Sequence, residues 1–224
     1  MTYGVLNLLK FTLPLIASAV AMTLDTLVST YCLSLSSDVA LRAALPAGAL
    51  AGTFTTVATA FLGYAGTVVA THHGFGRERL AVHSFVQGLW LFALTTVFFI
   101  IASPVSRILL ARFGHAPDVL SAETAYLNLL LAAGALQALS VVLASFFIGR
   151  GLTRFPGTAL LSGSFFNMIL TPILVLQLGF GIHGAGWSRI IAASAPCARR
   201  EPNSSTVLPS AARQMRLALV AMRL

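Results

Sequence analysis

Charge is what this sequence has least of. Only 9% of its 224 residues are charged, against 57% hydrophobic, and its mean hydropathy is +0.88. Ordinary soluble domains carry roughly 25% charged residues, so this chain cannot cover a water-facing surface. Acids are scarcer still, six against fourteen Lys and Arg, for a formal net charge of +8. In a soluble protein that excess would suggest nucleic acid. Here the bases sit mainly between apolar runs and near the C-terminal end, where they set topology and meet anionic lipid headgroups. No nucleic-acid partner is expected. Cysteine is nearly absent: Cys32 and Cys197 make neither a disulfide framework nor a metal site. A cleavable leader is not expected either, because the apolar run after Lys10 is longer than the roughly 7–15 residues of a leader's core. There is no nucleophile with a plausible base, no phosphate loop and no metal cluster. The chain reads as no enzyme and calls for no cofactor.

What remains is long apolar runs. The composition predicts an all-α, polytopic membrane helix bundle of five to six spans, each of about 20 residues, with the lipid bilayer as its main partner. Phe11 to Leu33, FTLPLIASAVAMTLDTLVSTYCL, comes first and carries Asp25, read as the one acid inside any span. A carboxylate in hydrocarbon costs at least about 2.5–3.5 kcal/mol, so such a residue turns toward a cavity or a partner helix. Ser34 to Arg42 reads as a short polar link. The second span, about 43–70, is rich in Gly48, Gly52, Thr53, Thr55, Thr56, Thr59, Gly63 and Thr67. Such residues either let helices approach closely or line a polar pathway. A basic loop, Thr71 to Leu80, follows; its His72-His73 pair reads as solvated rather than metal-binding.

The third span, about 82–102, contains Gln87 and Trp90. Between Ser103 and Thr124 the apolar residues Val105, Ile108, Leu109 and Phe113 recur at helical spacing beside Arg107 and Arg112, which predicts a short amphipathic helix at the membrane interface. The fourth span is about 125–148 and the fifth about 158–178, with Asn167 and Pro172. A sixth starts near Ala185 and fades after Ala195. The bases are read as lying outside the spans. Their distribution favours a cytoplasmic N-terminus, with the short loops at 71–80 and 149–156 on the same side. Asp25 then lies about 21 Å along its helix, just outside the midplane.

Several segments resemble the multidrug and toxic compound extrusion (MATE) transporters of the DinF or NorM type. Leu24-Asp25-Thr26-Leu27 is similar to that family's first-span aspartate-threonine motif. Gly74-Phe75-Gly76-Arg77 resembles the loop after its second span. Gly114-His115-Ala116-Pro117-Asp118-Val119-Leu120, with Tyr126-Leu127, resembles its outer helix. Gly149-Arg150-Gly151-Leu152-Thr153-Arg154-Phe155-Pro156 resembles the loop after its fourth span. Asn167-Met168-Ile169-Leu170 and Gly181-Ile182-His183-Gly184-Ala185-Gly186 resemble its fifth span and the following turn. The resemblance covers about residues 10–190, the family's N-terminal lobe.

That resemblance implies export of organic cations or other toxic compounds in exchange for protons or sodium ions. It implies a multi-pass protein of the bacterial inner membrane with two six-helix lobes around a central cavity. It implies that Asp25 and Asn167 line the ion-coupling pocket of one lobe, with Thr171 beside them. Thr171 stands where the family often has a second aspartate, Leu152 where it often has aspartate, and Ala19 where glutamine is common. One carboxylate is therefore missing, and the choice of ion is open.

From the residues themselves, desolvation favours the neutral form of a carboxylate. A proton taken up at such a group and released when the cavity opens to water is the minimal requirement for exchange. Asn167, Thr26, Thr171 and carbonyls near Pro172 offer oxygen ligands for sodium as an alternative. Thr26, Thr53, Thr56 and Gln87 are the candidate substrate wall. A lipid-linked sugar flippase of the wider superfamily is a second reading; it would favour basic residues in the cavity, and the bases read as lying outside the spans argue against it. A non-transporting membrane fragment is a third. Residues 193–224 form an atypical basic tail that looks truncated or frame-shifted, so the cavity's second wall would come from a missing C-terminal lobe or a second copy of this chain.

Overall fold

The computed structural model describes residues 5–112, 114–149, 151 and 154–198. They form six helices. The helices are α1 (Val5–Ser36), α2 (Asp38–Gly74), α3 (Glu78–Arg112), α4 (Pro117–Gly149), α5 (Arg154–Pro172) and α6 (Gly181–Ala198). α5 runs on into one π-helical stretch, Ile173–Gln177. In hydrocarbon every backbone polar group must find its partner within the chain, which leaves the helix as the local solution for these apolar runs. Five segments are long and apolar enough to cross a membrane: Ile16–Ser36, Asp38–Gly74, Glu78–Arg112, Pro117–Gly149 and Pro156–Gln177. Large apolar side chains such as Leu27, Tyr31, Phe61, Trp90 and Ile100 stand well exposed on the bundle surface, a pattern that suits contact with lipid or with another apolar surface.

The bundle is built around α2 and α4, which share the most extensive contact. α1 lies mainly on α5, while α6 packs on both α4 and α5. The buried residues of α2 are Ala40, Ala43, Ala47, Ala51, Ala58, Leu62, Gly66 and Val69. They recur at spacings of three, four or seven, one stripe of mostly small side chains. The stripe lets α4 come close: a Cβ on Gly66 would stand 3.0 Å from Ser145 Cβ, and one on Gly149 would stand 3.0 Å from Gly66 O. Thr55 also faces α4, its Oγ1 2.5 Å from a Cβ built on Gly134, while several other small residues of α2 point elsewhere. Nothing lies within 4 Å of a Cβ built on Gly48, Gly52 or Gly63, and Thr53, Thr56 and Thr67 are exposed. The second span thus uses small residues in two ways, one face for packing and one left open.

Four expectations change. The polar link 34–42 shrinks to Ser37, which caps α2 by accepting a hydrogen bond from Ala40 N at 3.0 Å. His72 and His73 belong to the last turn of α2, where His73 Nδ1 meets Glu78 Oε1 at 2.6 Å. The expected interfacial helix is not separate: Val105, Ile108 and Leu109 lie in the last turns of α3, which passes through Pro104 to Arg112. Ser103 ties that end to α4 through a 2.7 Å contact with Asn128 Oδ1. The sixth helix continues past Ala195 to Ala198. The basic tail from residue 199 onward lies outside the described residues.

Candidate functional site

Asp25 faces inward because α1 has one polar stripe on its buried side. Ser18, Asp25, Ser29 and Cys32 are all buried, while Val20, Leu24, Leu27 and Tyr31 are exposed. The spacings of seven, four and three place the first set on one helical face. That face meets α5. Asn167 Nδ2 donates to Asp25 Oδ1 at 2.7 Å across 142 residues of sequence. Asp25 is 7% exposed and Asn167 1%.

The contact continues away from the carboxylate. Thr171 Oγ1 donates to Asn167 Oδ1 at 3.2 Å and lies 2.9 Å from Ser188 Oγ of α6. Ser188 Oγ also stands 2.9 Å from Ala185 O. Two hydroxyl hydrogens serve three contacts. One consistent wiring runs from Ser188 to Thr171, to the Asn167 oxygen, and through its amide nitrogen to Asp25. Each donor polarises the next, so the row strengthens the bond on the carboxylate. The backbone changes character just here. Pro172 has no N–H to return to the preceding turn, and the helix widens into its π stretch directly after it. Gly184 then brings α6 against that stretch, with Leu174 O 2.9 Å from a Cβ built on it.

α6 adds a charge. Arg189 is half-buried, its Nη2 donates to Thr26 Oγ1 at 3.5 Å, and its Nε is buried with no hydrogen-bond partner. Asp25 and Arg189 share a cavity of about 80 Å³, whose other walls include Gln137, Ser140, Ser164 and Asn167. A larger cavity of about 480 Å³ lies between the α1–α2 and α5–α6 turns, but no charged residue lines it. The smaller one holds an acceptor, a cation and several neutral polar groups.

The structure thus brings Asp25, Asn167 and Thr171 together, whereas Thr26 is exposed and outside the cavity lining, linked to it only by the contact with Arg189. Thr53, Thr56 and Gln87 do not reach it; all three are exposed, on α2 and α3. Sequence reasoning missed Ser188 and Arg189. Arg189 corrects the statement that no base lies inside a span: it sits amid Ala185, Ile190 and Ile191, and that isolation was its signal. Asp25 is also not the sole buried acid. Glu123, in the second turn of α4, is 0% exposed, and its Oε1 lies 2.6 Å from His115 Nδ1. It was missed because α4 begins at Pro117, eight residues before the expected span. Among the described residues no group of three or more metal-ligating side chains converges.

A multi-pass helical bundle with a charged cavity at the junction of α1, α4, α5 and α6 defines an integral membrane protein with a buried polar site. The MatE family model matches residues 14–173, and the chain belongs to that family. Its fold is similar to a MOP superfamily transporter from Pyrococcus furiosus described as having a binding pocket of reverse polarity, with TM-score 0.78 and 22% identity. It is also similar to a MATE transporter in a bent conformation, with TM-score 0.77 and 21% identity. An outward-facing multidrug resistance MATE transporter gives TM-score 0.71 and 23% identity. In each pair 84% of this chain is covered but only 42% of the other, so the chain spans about half the length of the proteins it matches. No curated protein sequence matches it.

Proposed function

We propose that this chain is one lobe of a secondary multidrug exporter that moves organic cations or other toxic compounds outward in exchange for protons or sodium ions. Asp25 is the ion-coupling group, with Asn167 and Thr171 as its supporting row. The observation that carries this reading is the 2.7 Å bond from Asn167 to Asp25, which ties the one buried acid of α1 to α5 beside a polar cavity. An intramembrane acid held this way belongs to ion pathways more often than to simple packing. Thr26, and the open hydroxyl face of α2 with Thr53 and Thr56, together with Gln87, would border the substrate path. That path would run between this lobe and a second one, either a C-terminal lobe or another copy of this chain, in a bacterial inner membrane. A pump works by giving two cavity states different affinities for the ion.

The test is drug efflux in cells lacking their own pumps, comparing the chain with Asp25→Asn. Efflux that disappears in the variant, at equal membrane expression, is the expected result. Efflux unchanged in the variant removes Asp25 from coupling. Silence from both would mean an inert lobe or a function that needs a second lobe.

Arg189 favours a second reading. A cation inside the pocket alters its polarity, the property named for the Pyrococcus furiosus transporter, and suits anionic cargo such as a lipid-linked sugar. Arg189 removes the argument from absent bases that counted against a flippase. Resistance to cationic drugs supports the first reading; head-group translocation without it supports the second.

A further inference from the structure

Arg189 bears on which ion the pocket can hold. The cavity has one carboxylate and one guanidinium, so its formal charge before loading is zero. Position 171, the next turn of α5 after Asn167, is a threonine rather than an acid and is fully buried. Thr171 does not line the cavity; its hydroxyl is turned to Asn167 and Ser188. Asn167 presents its NH2 group to Asp25 and its oxygen to Thr171. α6 supplies the cation Arg189. α4 supplies Gln137 and Ser140, both neutral. α5 supplies only neutral groups, and no residue of α2 lines the cavity.

We propose that Arg189 is a resident cation that excludes sodium from the Asp25 pocket and leaves the proton as the only ion the pocket takes up. This rests on the reading that Asp25 is the coupling site. A sodium ion needs several oxygen ligands and a net negative site. Here it would meet an amide NH2 on one side of the carboxylate and a guanidinium across the cavity. A second unit charge roughly 5–8 Å away, at an effective dielectric near 20, weakens binding about 30- to 300-fold. A proton meets the same repulsion from Arg189, but it needs neither oxygen ligands nor space, and the missing ligand set is what sodium cannot make good. It adds to an Asp25 carboxylate oxygen from water, forming one O–H bond, and returns to water on release. The Arg189 Nε, buried without a partner, is consistent with a guanidinium held for its charge rather than for a full set of hydrogen bonds.

The experiment is labelling of the full chain in membranes with dicyclohexylcarbodiimide, read by peptide mass at Asp25. The reagent attacks a protonated carboxyl, and a bound cation protects the group. Wild type should label equally in sodium chloride and choline chloride, and more as pH falls. Arg189→Gln should become sodium-protected, at concentrations about 30- to 300-fold below any that affect wild type. Arg189→Lys, which keeps the charge, should behave as wild type. Sodium protection of wild type overturns the proposal without reference to any variant. So does an Arg189→Gln protein that stays insensitive to sodium, or an Asp25 that never labels between pH 5 and pH 9. Labelling requires no transport, so it stands apart from the efflux result: a chain that moves no drug can still pass, and an active pump can still fail.

Discussion

Adding one methyl group to each of two glycines should shift stability in opposite directions. Gly149 ends α4 where that helix meets α2. An alanine Cβ there would stand 2.8 Å from Val69 Cγ1, 3.0 Å from Ala70 N and 3.0 Å from Gly66 O. Two of those atoms are backbone, so no side-chain rotation relieves the contact; the helices must part. Overpacking of this kind costs about 1–3 kcal/mol. The gain in helix propensity from Gly to Ala is at most about 1 kcal/mol and smaller at a helix end. The expected net loss is about 1–2 kcal/mol. Gly63, on the open face of α2, has nothing within 4 Å of its Cβ position. Alanine there keeps the propensity gain, up to about 1 kcal/mol. The assay is reversible unfolding in mixed micelles, titrating a denaturing detergent and following helicity. A Gly149→Ala protein as stable as Gly63→Ala would refute the close α2–α4 approach.

Two further substitutions test the interior. Thr171→Val keeps the shape but removes the hydroxyl between Asn167 and Ser188. It should cost about 1–3 kcal/mol in the same assay, and an unchanged midpoint would show that the polar row is not formed. His115→Ala removes the ring nitrogen 2.6 Å from Oε1 of the fully buried Glu123. Leaving a buried polar group without its partner costs about 1–3 kcal/mol, and His115 is 36% exposed, which places the loss near the lower end. Glu123→Gln in the same background should recover part of it; a variant with no recovery would mean that the lost imidazole packing, not the stranded carboxyl, sets the cost.

The sequence by itself determined the class of fold. So little charge over such long apolar runs forces helices in a bilayer, because only a helix satisfies its own backbone there. It also determined that Asp25 is buried, since a lone acid in an apolar run has nowhere favourable to point but inward. The tertiary structure decided what surrounds it. Asn167 lies 142 residues away, and no local pattern sets how α5 is rotated against α1; helix packing does. The same packing split the small residues of α2 into a seam and an open face, which periodicity alone left undivided. One reading failed because a segment edge was judged by hydropathy: Glu123 lies beyond the apolar edge of its expected span yet inside α4. Arg189 lies within the expected sixth span, about 185–195, against the reading that every base stands outside the spans, and only the packing of α6 brings it to the pocket. Whether a charge is solvated or buried depends on which helix stands beside it, and that is a property of the folded bundle.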